Sequence, residues 1–85
     1  MLATGNQLAA ARALLNVDQG GVANLSGVHV NTIRAMEGSR EQPIAGRAAN
    51  VQRGQKALEV RGIEFLNHGQ PGVRLRLQTS GGDRV

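Results

Sequence analysis

The chain has 85 residues, room for one small domain but not for separate cofactor and substrate lobes. It contains no cysteine, which excludes a disulfide framework, a thiolate zinc site and a thiol nucleophile, and fits a reducing, cytoplasmic setting. Ten Lys and Arg, nine of them Arg, stand against six Asp and Glu, a net charge of +4 that leans toward a polyanionic partner.

Phe65 is the only Phe, Tyr or Trp, so there is no platform on which successive unpaired bases could stack. Duplex DNA read by a helix needs none. Met1-Leu2-Ala3-Thr4 carries no basic residue, so no export signal is expected, and no stretch approaches the roughly 20 apolar residues of a membrane span.

In chain order, Thr4 with Gln7 three residues on forms a capping box, and Leu8, Ala11 and Leu15 follow at helical spacing. A first helix is expected over Gly5 to Leu15. Asp18 is a good cap for a shorter second helix with Val22, Ala23 and Leu25. Gly20 and Gly21 weaken that helix by about 1 kcal/mol each relative to Ala, so tertiary packing must hold it. Ser26-Gly27-Val28 reads as a tight corner in which Gly27 takes positive φ. A third helix from Val30 to Glu37 buries Ile33 and Met36 and is closed by Gly38.

Residues 39–46 read as a loop ending in a short helical turn. A longer helix follows, capped by Asn50, striped with Val51, Ala57 and Leu58, and stopped by Gly62. Gly54 falls on that stripe and marks either a thin spot in the core or a close backbone approach. Beyond Gly62 the period changes to two: Ile63 and Phe65, then Val73, Leu75 and Leu77, predict a β-hairpin over 63–78. Glu64 would share a face with Arg74 and Arg76. Residues 79–85 read as a flexible tail.

A helix, a small residue at Ala23, a corner at Gly27, a plug at Val28 and a second helix are the parts of a helix-turn-helix. Residues 7–38 resemble the Cro/CI-type (XRE) helix-turn-helix family, with its Q-L-x-x-A-R-x-L-L start, Q-x-x-x-A-x-x-x-G-V centre and T-I-x-x-x-E-G end. The tail, with Gly62-Ile63-Glu64-Phe65 and Pro71-Gly72-Val73-Arg74-Leu75-Arg76, resembles that of small single-domain bacterial members. Gly20, Gly21 and His29 depart from the pattern, since the family commonly places Ser or Thr at the last of these. The resemblance implies a mainly α fold, a five-helix Cro/CI (lambda repressor-like) domain over 1–62 with a short C-terminal β-hairpin.

It also implies a sequence-specific, duplex DNA-binding transcriptional regulator, a repressor acting as a homodimer on a palindromic operator. The recognition helix, about 29–37, would enter the major groove with His29, Val30, Asn31, Thr32 and Arg34 toward the bases. Asn31 can pair with adenine through two hydrogen bonds, Val30 and Thr32 can meet a thymine methyl, and Arg34 can reach guanine or phosphate. The alternative for Asn31 and Thr32 is that they are solvated helix residues. Gln19 resembles the family's backbone-contacting glutamine, and Arg40 is a second phosphate candidate or else a solvated charge. Arg12 and Glu37 match a buried structural ion pair.

No nucleophile has a base and orienter in view, and neither His29 nor His68 has carboxylates at ligand spacing. No enzyme activity, cofactor or metal is expected. The dimer contact would come from the last helix near Gly54 to Arg61 or from the Val73 to Leu77 strand. The competing reading is a protein-binding antiactivator or antitoxin-like adaptor on the same fold, with another regulatory protein as partner and no membrane attachment.

Overall fold

The computed structural model describes residues 1–76, so Leu77 and the tail expected over 79–85 lie outside the described residues. The elements run α1 (Gly5–Leu15), α2 (Gln19–Ser26), α3 (Val30–Glu37), α4 (Ala48–Val60), β1 (Ile63–Leu66) and β2 (Gly72–Leu75). The described residues are mainly helical with one two-stranded antiparallel sheet.

Local chemistry sets the first three helices. The Thr4 hydroxyl accepts from the Gln7 amide at 3.2 Å, and Gln7 Oε1 accepts from the Thr4 amide at 3.1 Å, which completes the capping box. Asn16 ends α1 in the left-handed region at φ 57°. Asp18 then caps α2 through the Gly21 amide at 2.7 Å. A Cβ on Gly21 would press within 3.3 Å of both the Asp18 carboxylate and the Val17 side chain, whereas one on Gly20 meets only Asp18 at 3.6 Å. The weak start of α2 is offset by Val22, fully buried between its neighbours α3 and α4.

The expected five-helix count is corrected to four among the described residues. Residues 39–47 form turns and extended chain rather than a helical turn. Pro43 lies in an isolated bridge opposite Thr4, the Ile44 amide donates to the Ala3 carbonyl at 2.8 Å, and Gly46 sits at φ 124°. These ties hold the segment extended along the N-terminus, and proline has no amide to give a helix interior. The Asn50 cap is corrected as well. α4 begins at Ala48 behind Arg47, which makes no side-chain cap bond, and Asn50 lies inside the helix. The two alanines favour earlier initiation.

Leu8, Val22, Ile33, Met36, Leu58 and Ile63 form the centre of the core. Burial of side chains of this size stabilises by about 1.5–3 kcal/mol each. Gly54 is buried with Met36 Cε 3.7 Å from where its Cβ would stand, so the Met36 side chain fills the space at that stripe position. α4 stops at Val60, and Gly62, at φ 101°, turns the chain into β1. β1 and β2 pair with Glu64 opposite Arg74 and Phe65 opposite Val73. Glu64 carries both expected partners, Arg74 Nε at 2.8 Å and Arg76 Nε at 3.0 Å. Gln7 ties this sheet to α1: its Nε2 lies 3.0 Å from the Gly72 carbonyl and 3.2 Å from that of Leu66.

Candidate nucleic-acid interface

The corner between α2 and α3 is built for one conformation. Gly27 takes φ 74° with nothing within 4 Å of a Cβ, so glycine serves the backbone angle there rather than the packing. Ser26 Oγ donates to the Val22 carbonyl at 2.7 Å and accepts from the Val28 amide at 3.2 Å, locking the turn from the α2 side. Val28, 3% exposed, plugs the core behind it.

His29 then caps α3. Its Nδ1 accepts from the Asn31 amide at 3.0 Å, the role for which Ser or Thr was the expected residue, and this requires the ring proton to sit on Nε2. The fully buried Ile33 and Met36 set the rotation of the helix, and His29, Asn31 and Arg34 are exposed on its other side. Val30 and Thr32 are half-buried. Arg34 Nη1 donates to Asn31 Oδ1 at 3.0 Å, an i,i+3 pair on the exposed face.

Behind α3 lies the ion pair. Arg12 Nε donates to Glu37 Oε2 at 2.6 Å and Nη2 to Oε1 at 2.9 Å, while Nη1 reaches the Val17 carbonyl at 3.2 Å. The hydrogen bond to Glu37 raises the Arg12 pKa above that of an ordinary arginine, against the opposing effect of burial. Gln19 joins the same group, its Nε2 donating to Glu37 Oε1 at 3.1 Å. Its amide is thus engaged within the chain, and the Gly21 amide at that helix start is taken by Asp18.

Arg40 follows α3 with an exposed side chain and φ 53°, a left-handed conformation uncommon outside glycine. Its backbone is held at both ends, the amide donating to the Glu37 carbonyl at 3.1 Å and its carbonyl accepting from the Asn6 amide at 2.9 Å.

The structure therefore gathers His29, Val30, Asn31, Thr32 and Arg34 on one helix, with Arg40 past its far end. An open groove of about 870 Å³ between α2 and α3 is lined by small residues, among them Gly20, Gly21, Ala23 and Asn24, and ends at His29 and Val30. Sequence reasoning missed that Gln19 completes the ion pair and that Gln7 holds the hairpin. The capping box was a local signal for Gln7, but nothing local marks either long-range contact.

Among the described residues, no group of three His, Cys, Asp or Glu could hold a metal ion, and no helix is long and apolar enough to cross a membrane. Comparison of the chain with family models, with curated proteins and with solved structures gives no match.

Proposed function

We propose that this protein is a non-enzymatic, sequence-specific duplex DNA-binding regulator of the Cro/CI helix-turn-helix type, acting in the cytoplasm as a repressor and as a homodimer. One observation carries the reading: α3 buries Ile33 and Met36 completely while His29, Asn31 and Arg34 remain open on the face away from them, just after a glycine corner. An exposed amide beside an exposed guanidinium at the start of such a helix suits adenine and guanine edges in a major groove. Arg40 adds a cation for phosphate beyond the helix, and the small residues of α2 leave room for a DNA backbone to approach.

One such helix contacts too few base pairs for useful specificity, so two copies on half-sites about 34–36 Å apart are required. The outer edge of β2 is the better dimer contact. The N-terminal segment already approaches β1, with the Met1 amino group donating to the Phe65 carbonyl at 3.2 Å. Pairing of β2 with its twin would extend the two-stranded sheet across a two-fold axis.

Footprinting on the duplex flanking the protein's own gene tests the reading. Two protected half-sites one helical turn apart are expected, with affinity falling linearly in log salt. Equal retention of unrelated duplexes, or binding indifferent to salt, would overturn it.

A further inference from the structure

Leu25 and Val60 are 37% and 72% exposed, two of the four large apolar side chains left open among the described residues. They border the same groove, a cleft of about 350 Å³ between the end of α2 and α4. That volume lies at the low end of sites that seat a ligand or an anchoring side chain. Arg53, Lys56 and Arg61 stand around it, and no acidic side chain among the described residues lines it. The spacing follows from the helix: Arg53, Lys56, Ala57 and Val60 recur at i, i+3, i+4 and i+7, one outer stripe, while Gly54 and Leu58 face the core. The only carboxylate on α4, Glu59, is hydrogen-bonded to Gln55, 3.0 Å away, off that stripe.

From this juxtaposition of an apolar floor and a cationic rim we infer that the groove between α2 and α4 docks an acidic, amphipathic helical segment of a partner protein. The segment's leucine-like side chains would enter between Leu25 and Val60, and its carboxylates would meet Arg53, Lys56 and Arg61. Charge decides between occupants. A second copy packed symmetrically on this face would set the three cations against their own images, a like-charge contact. A nucleic acid would meet the cations but has no side chain for the apolar floor. The groove shares no lining residue with the one that ends at His29 and Val30. The inference is therefore independent of the DNA-binding proposal.

The test is titration of the full chain, labelled for amide NMR, with a synthetic helical peptide carrying leucines on one face and glutamates on the flanks. Expected are shifts centred on Leu25, Lys56, Ala57 and Val60. Affinity should fall about tenfold in the double variant Arg53→Glu, Lys56→Glu and with added salt. Val60→Asp should also weaken it. All three positions are exposed, and each variant's own amide spectrum checks its fold. Equal binding of the same peptide with lysine in place of glutamate would overturn the inference, as would shifts confined to other surfaces. A concentration-dependent dimer abolished by Val60→Asp would assign the groove to a second copy. Loss of duplex DNA affinity in the charge-reversed variant with the peptide unaffected would assign the rim to nucleic acid.

Discussion

Gln19 and Arg12 donate to the same oxygen of Glu37, at 3.1 and 2.9 Å, so the start of α2 is tied to the end of α3 through a carboxylate that α1 also holds. The three helices around the corner thus share one polar anchor. Glu37→Ala leaves Arg12 with only the Val17 carbonyl. A fully buried pair would lose about 3–5 kcal/mol on such a change. Side-chain exposures of 24% for Arg12 and 9% for Glu37 allow water to recover part of that, so about 2–3 kcal/mol is expected. Gln19→Ala removes one hydrogen bond to a charged group and should cost about 1–2 kcal/mol. Urea unfolding of the two variants checks the order; equal losses, or a larger one for Gln19→Ala, would contradict the anchor.

Two glycines near helix starts should respond to alanine with opposite signs. At Gly5 a Cβ would stand 2.5 Å from the Met36 carbonyl oxygen and 2.6 Å from that of Glu37, backbone atoms that cannot swing aside. Gly5→Ala must therefore push α1 off the end of α3, at a cost of about 2 kcal/mol or more. For a domain of this size that is a fall in Tm of roughly 10 °C. At Gly20 the nearest atom is Asp18 Oδ1 at 3.6 Å, and alanine there should stabilise by about 0.5–1 kcal/mol. Thermal melts followed by circular dichroism measure both, and a stable Gly5→Ala variant would mean the close approach is not needed.

The contrast between these sites explains how much of the molecule was legible in advance. Thr4 with Gln7, Asp18 and Gly27 act on residues within a few positions of themselves, and each was readable from spacing alone. The alternation of Ile63 and Phe65 with Glu64 likewise predicted both the strand and its ion pairs with Arg74 and Arg76. Residues 39–46 are the expected loop, but the short helical turn at its end does not form, because the conformation there is set from far away, by Ala3 and Asn6. Asn50 has the chemistry of a cap, but Ala48 and Ala49 extend the helix ahead of it. For the candidate site, the exposed positions on α3 followed from the burial of Ile33 and Met36, whereas the tie of Gln19 to Glu37 spans 18 residues and leaves no periodic trace.

The hairpin should respond to acid. The hydrogen bond from Arg74 comes first among the causes that hold the Glu64 carboxyl below its usual range, with Arg76 adding to it. A carboxyl whose pKa is lowered by folding stabilises the folded state at pH values above its unfolded pKa. That contribution disappears as pH falls through the folded value. Protection of the hairpin amides, their exchange measured against the intrinsic rate at each pH, should therefore fall as the pH drops below the ordinary carboxylate range, and Glu64→Gln should show the lower protection at all pH values. The pairing is exposed, so the effect should stay within the hairpin and leave global unfolding almost unchanged. A large acid-induced loss of helix signal tied to Glu64 would contradict it.

On the proposed DNA-binding function, Asn31 and Arg34 act as a pair. Arg34 Nη1 donates to Asn31 Oδ1 at 3.0 Å in the free protein, which restricts both side chains before any base is met. Asn31→Ala removes the amide that suits adenine and frees Arg34 as well. It should cost about 1–3 kcal/mol of discrimination at one position of each half-site while leaving affinity for unrelated duplexes almost unchanged. Arg34→Ala should lower affinity and flatten the salt dependence by about one charge if the guanidinium reaches phosphate. Because the two side chains are in contact, the double variant should lose less than the sum of the single losses, by about 0.5 kcal/mol or more. Competition binding against an operator series substituted at every position measures all three quantities. Strict additivity would mean that the pair does not hold in the complex, and an unchanged operator preference in Asn31→Ala would remove α3 from base recognition.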